Sequence, residues 1–158
     1  KSGDKSADIP PAIGSMLRSA RDFLTHEHTL FKTLGLKPLL VGRGQARFAL
    51  DLPAEFGDGE GAVHSGLLTI IIDSIMGLTV FTALDEFKPI ATVNLRTDHL
   101  RSAPCGERVI CECICNAVEN EIAFVTGDIR LEKSDAILAT GSGAFMVGTR
   151  SAAKGSRL

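Results

Sequence analysis

The sequence predicts an α+β domain in which an antiparallel sheet wraps around one long central helix. Three observations predict it. The apolar segment Leu67 to Leu84 is interrupted by a single acid, Asp73, and a helix with so little polar character belongs in the interior. Strand-like runs follow it at close spacing, joined by short turns, as antiparallel pairing allows. Two further runs precede it across Gly42-Arg43-Gly44, a hairpin signal.

The elements follow in chain order. Residues 1–9 read as disordered, 10–148 as a single domain and 149–158 as a flexible tail. Pro10-Pro11 can open a helix, and Ile13, Met16, Leu17, Ala20 and Leu24 keep helical spacing after it. Leu34 to Val41 and Gln45 to Leu52 form the hairpin strands. Pro53 breaks the ladder, and Glu55 to Glu60 is a polar, glycine-bearing loop. The central helix begins near Ser65. Ile90 to Leu100 is the next strand, ended by the turn Ser102-Ala103-Pro104-Cys105-Gly106. Arg108 to Val118 and Ile122 to Leu131 flank the tight turn Glu119-Asn120-Glu121, and Ala136 to Val147 closes the sheet. One long helix on one face of such a sheet is an α+β arrangement.

Composition excludes several functions. The chain has 158 residues, enough to bury a core, and its formal net charge is −2, so no basic field draws it to nucleic acid or anionic lipid. It has no Trp or Tyr, which removes the usual base-stacking side chains. The polar start, Lys1 to Asp8, lacks the order of a secretory signal. Cys111, Cys113 and Cys115 alternate onto one strand face, where neighbours cannot close a disulfide. They read as small buried hydrophobes in a reducing, cytoplasmic setting, with no spacing that suggests a metal. Asp73 near the middle of the apolar segment, with Thr69, Ser74, Gly77, Thr79 and Thr82, favours a buried helix over a membrane span.

The chemistry concentrates where this helix begins. Gly61-Ala62-Val63-His64-Ser65-Gly66 leads directly into it, and a small, glycine-flanked entry exposes the free backbone N–H groups of a helix N-terminus to an approaching group. Such amides favour developing negative charge. Asp73 further along is an acid that is costly to bury without a partner or a task. Amides at one end and a carboxylate along the helix are two parts needed to hydrolyse an acyl group.

The order of these features resembles a known family. His64-Ser65-Gly66 opens a long helix, with Asp73 nine residues after the His. Ala91-Thr92-Val93-Asn94-Leu95, then Leu100-Arg101-Ser102-Ala103 and Ala139-Thr140-Gly141-Ser142-Gly143-Ala144-Phe145 follow. Over roughly residues 30–147 this is similar to the hot-dog-fold acyl-CoA thioesterases of the PaaI-like and 4-hydroxybenzoyl-CoA thioesterase group. The resemblance implies a hot-dog fold, a homodimer that extends the sheet with two helices antiparallel, and a dimer of dimers, a homotetramer. It implies Asp73 as the catalytic carboxylate, the Ser65 N–H polarising the thioester carbonyl, and Thr92 orienting water. His64 completes the catalytic set, although by itself it reads as tying down the entry loop. Gly66, Asp58 and Arg101 are the substrate-binding positions, Arg101 holding a phosphate of coenzyme A. No cofactor is implied beyond the coenzyme A of the substrate.

Helix geometry adds a constraint. Eight residues of helix separate Ser65 from Asp73, about 12 Å, so one chain cannot place both at a single thioester within the ~3 Å reach of proton transfer. The acid must come from a second chain. Asp73 would act as general base or as nucleophile; the residues leave both open. Two departures from the family pattern stand out. Ser65 replaces a Gly and adds a side chain able to cap the helix. Asp58 stands six residues before His64, where many relatives carry an Asn that touches the carbonyl. The alternative reading is a non-catalytic acyl-CoA-binding hot-dog module. A hot-dog dehydratase ranks last, since His64 and Asp73 are wrongly related for that proton transfer.

Overall fold

The computed structural model describes residues 29–149 together with Pro11, Gly14, Ser15 and Arg18. Those four positions are helical, while the remainder of the helix expected after Pro10, the N-terminal stretch and the tail from Arg150 lie outside the described residues. The elements are α1 (Thr29–Leu34), β1 (Lys37–Gly42), β2 (Gln45–Asp51), α2 (Ser65–Ala83), β3 (Ile90–His99), β4 (Arg108–Glu119), β5 (Ile122–Leu131) and β6 (Ile137–Val147). The six strands form one sheet in the order β1-β2-β4-β5-β6-β3, antiparallel throughout.

The predicted strands stand with small shifts at their ends, and one start is corrected. Leu34 does not begin a strand; it ends α1, which was not foreseen. Phe31 and Leu34, three apart, both bury on one side of that short helix. Gly35, at φ +59°, turns the chain out of it, as a residue without a Cβ does at a helix end. The hairpin turns act as read. Gly42 pairs with Gln45 across Arg43-Gly44, with Gly44 at φ +66°. Asn120 and Glu121 take φ +50° and +64°, the two positive values of the turn whose twist suits a β-hairpin.

The helix α2 lies on the inner face of the sheet. Leu67, Leu68, Ile71, Ile72, Ile75, Met76 and Val80 are buried there, at about 1.5–3 kcal/mol for each large side chain. By length and composition α2 could also cross a bilayer, with mean hydropathy 1.8; here its apolar side packs on strands instead. Three of its hydroxyls are satisfied within the helix. Ser74 Oγ donates to the Ile70 carbonyl at 2.7 Å, Thr79 Oγ1 to Ile75 at 2.8 Å and Thr82 Oγ1 to Thr79 at 2.7 Å. The Thr82 hydroxyl also accepts from the Gly44 N–H at 2.9 Å, tying the far end of α2 to the first hairpin.

Close approach of helix and sheet depends on a row of small residues across three strands. Cys113, Gly127 and Gly141 pair side by side on β4, β5 and β6. A Cβ at Gly141 would lie 2.7 Å from Ile72 Cγ2, and one at Gly127 would lie 2.5 Å from Cys113 Sγ and 2.8 Å from the Glu112 carbonyl oxygen. All four cysteines are free thiols; Cys111 and Cys113 are fully buried and 4.0 Å apart at sulfur. Burial pushes the Cys111 thiol well above its ordinary value.

Because the atom crowding Gly127 is partly backbone, Gly127→Ala is expected to destabilise the fold by about 1–3 kcal/mol. Urea unfolding would show a lower midpoint with an unchanged slope; an unshifted midpoint would contradict this packing.

Candidate active site

The entry to α2 is built by the loop that follows Pro53. A single 3₁₀ turn, Ala54–Phe56, leads into a short ladder in which Gly57 pairs with Val63 and the His64 N–H donates to the Phe56 carbonyl at 2.8 Å. The loop tip turns back through Gly59 and Gly61, at φ +86° and +95°. Asp58 closes it: Oδ1 accepts from the Glu60 N–H at 2.8 Å and the Ala62 N–H at 3.2 Å. The chain after β3 holds the other side, where Val63 N–H donates to the Ala103 carbonyl and Cys105 N–H to Gly61, at 2.8 and 2.9 Å.

His64, not Ser65, caps the helix. Its backbone is extended, at φ −57° and ψ 130°, and Nδ1 accepts from the Gly66 N–H at 3.1 Å. This corrects the reading of Ser65 as a cap; Ser65 is already the first helical residue. Gly66 leaves room for the same contact, since a Cβ there would sit 3.0 Å from His64 Nδ1 and press on the capping ring. With Nδ1 used as acceptor, the neutral ring carries its hydrogen on Nε2. The Ser65 N–H has no acceptor among the described residues, so it is the orphan donor of the helix end.

A cleft of about 480 Å³ opens over this end, and Asp58, His64, Ser65, His99 and Arg101 line it. The Arg101 guanidinium is tethered at its rim, Nη1 donating to the Ile137 carbonyl at 2.6 Å. The Asp58 carboxyl is held below its ordinary value of 3.8, first by the Glu60 amide and then by that of Ala62. It is therefore a fixed negative charge at neutral pH.

Asp73 and Thr92 lie apart from this cleft and meet each other. Thr92 Oγ1 donates to Asp73 Oδ1 at 3.0 Å, and the acid is half-buried rather than sealed in the core. The bulge at Val93, between Thr92 and Asn94, marks the position on β3. It also shifts the strand's alternation, so Leu95, Thr97 and His99 pair with Gly143, Gly141 and Ala139. His99 was assigned no role from the sequence, yet it lines the cleft, with Nε2 3.5 Å from Thr69 Oγ1. Alternation counted from Thr92 would have sent it to the opposite face; only the bulge reverses that.

The structure thus gathers Asp58, His64, Ser65 and Arg101 at one end of α2 and pairs Asp73 with Thr92 further along it. Helix, sheet and uncovered helix entry define a hot-dog protein. The PaaI protein of the E. coli phenylacetic acid degradation operon superposes with a TM-score of 0.74 over 86% of this chain and 95% of its own, at 14% identity. A mutant PaaI from Thermus thermophilus is 25% identical, with a TM-score of 0.65 over 73% and 95% of the two chains. A Streptococcus mutans protein solved with acetyl-CoA matches with a TM-score of 0.66 over 73% and 91%, at 15% identity. In sequence, an esterase-named protein of Halobacterium salinarum is 29% identical over 132 residues, 77% of this chain and 85% of its own. The model of the thioesterase superfamily matches residues 60–137, the loop, α2 and the strands up to the start of β6. Over those residues the chain is similar to that superfamily of thioester hydrolases.

Two outcomes test the geometry of the helix entry. His64→Ala removes the cap and is expected to lower stability by about 0.5–2 kcal/mol, most of it recovered in His64→Asn, a good cap residue; equal melting of all three proteins would contradict the capping role. The Asp58 carboxylate's hold on the loop is complete above its unfolded value and lost as pH falls through its lower folded one. An NMR titration of the Asp58 carboxyl should therefore give a midpoint below 3.8; one at or above it would contradict the double amide bond.

Proposed function

We propose that this chain is an acyl-CoA thioesterase whose active site is shared between two copies. The observation that carries the reading is the division of the chemistry along α2. The donor without an acceptor, the Ser65 N–H, is at the start of the helix, and the Thr92-bound acid Asp73 is two turns on, about 12 Å away at helical rise. A second copy is needed to close that distance. A surface for it exists: Gly66, Ile70, Asp73, Ser74, Gly77 and Phe81 form the stripe of α2 left partly or fully exposed by its own sheet, and β3 is an open sheet edge beside it. Antiparallel docking of two such helices would set the N-terminus of one opposite the middle of the other. A dimer of such dimers is consistent with the same reading.

In this site the thioester carbonyl accepts a hydrogen bond from the Ser65 N–H of one copy, with the positive pole of α2 behind it. The Asp73 carboxylate of the other copy either removes a proton from the attacking water or attacks the carbonyl itself, forming an anhydride that water then hydrolyses to the free acid and the restored carboxylate. Thr92, which donates to Oδ1, fixes the carboxylate and leaves Oδ2 for the reaction. The tetrahedral oxyanion is stabilised at the helix end, and collapse expels the coenzyme A thiolate, a leaving group good enough to need no Lewis acid. Arg101 is placed at the rim to meet a phosphate of that leaving group.

Ser65 offers a direct test of the shared site. As the first helical residue it can be replaced by Pro, which deletes the N–H and the short side chain, and His64 before it, at ψ 130°, is already out of the helical region that a following proline disfavours. Asp73→Asn and Ser65→Pro are each expected to lower kcat at least 100-fold, the scale of losing one such donor. Co-expressed, they should regain about a quarter of wild-type activity. Half of randomly assorted dimers are mixed, and each mixed dimer holds one site with both groups intact. No recovery on mixing would place both groups in one chain. No thiol release from any acyl-CoA by the wild type would favour the acyl-CoA-binding module instead.

A further inference from the structure

The same cleft holds a charge that hydrolysis does not require. Asp58 lines it together with Ser65, yet among the described residues only Oδ1 accepts hydrogen bonds, from the amides of Glu60 and Ala62. Among the described residues no Lys, Arg or His makes an ion pair with Asp58. The loop that carries it is laddered to the start of α2 through Gly57–Val63 and Phe56–His64. Its position relative to the Ser65 N–H is therefore set by backbone bonds. Arg101 is the opposite charge of the cleft, tethered on the segment after β3. An acyl-CoA entering between them carries its negative charge on the phosphates, so that arm is drawn to Arg101. The acyl arm is then left on the Asp58 side.

We infer that Asp58 is a specificity-determining residue, a charge gate that admits uncharged acyl groups and rejects acyl groups bearing a carboxylate. This rests on the thioesterase reading above. Asp58 is exposed at the cleft, so a second anion brought beside it would meet a like charge that the loop cannot swing away, and rejection by an unfavourable contact of this kind is a source of discrimination. The same charge opposes the oxyanion forming at the Ser65 N–H, so the gate slows turnover of the accepted substrates as well.

Asp58→Asn separates the gate from the loop latch. The amide oxygen of Asn can accept both backbone bonds while the charge is removed, and Asp58→Ser, whose hydroxyl can form the equivalent turn, is a second neutral variant. Rates of thiol release are measured for pentanoyl-CoA and glutaryl-CoA, which share a five-carbon acyl chain and differ by a terminal carboxylate. The wild type is expected to favour pentanoyl-CoA in kcat/KM by at least tenfold more than either neutral variant does. Both variants should turn pentanoyl-CoA over at least threefold faster than wild type, with melting temperatures close to it. A loop-latching role alone would change both substrates together and leave their ratio untouched. An unchanged ratio in both variants, with pentanoyl-CoA still hydrolysed, overturns the gate and leaves the thioesterase standing. No thiol release from either substrate by any of the three proteins overturns both.

Discussion

An apolar helix of 19 residues has to be covered, and the way α2 is covered organises everything else. The sheet can bend close around it only where side chains vanish. The row Cys113-Gly127-Gly141 supplies that, letting Ile72 and Met76 sit down on the strands. The cover is one-sided. The stripe from Gly66 to Phe81 is left partly open, and so is the end of the helix, where hydrogen bonds within α2 cannot reach. The reactive groups of the proposed site lie on these uncovered parts.

The helix entry shows how a strong local preference was redirected by its surroundings. A Ser at the start of a helix is a favoured cap, but capping depends on backbone angles as well as side chain. The ladder from Phe56 to His64 holds His64 extended, so the imidazole caps and Ser65 falls inside the helix. Among the described residues this leaves the Ser65 N–H unpaired while satisfying that of Gly66. The donor proposed for the oxyanion is thus a remainder of the capping arrangement. Asp58 follows a similar logic: one carboxylate oxygen closes the loop, and the charge that comes with it faces the cleft.

Much of the fold was legible in the order of residues because its signals are local. Turn residues mark the strand ends, two-residue alternation marks the strands, and the apolar run marks the helix. The short helix α1 was not legible. Six residues with a single pair of buried side chains carry too little periodicity to separate from the start of a strand. The placement of His99 was not legible either, because one extra residue at Val93 reverses which side chains of β3 face inward.

The sequence by itself determined the long helix, its acid two turns from its first residue, and the glycine-bearing entry before it. It thereby determined that amide and carboxylate of one chain stand too far apart to serve one carbonyl, since helical rise depends on residue count alone. Only the tertiary structure decided which side chains meet. Asp73 finds Thr92, Asp58 shares a cleft with Ser65 and Arg101, and His99 joins them, because each pairing crosses between elements whose register is set by sheet bonds and a bulge. Those bonds link residues far apart in the chain, and no local pattern encodes them.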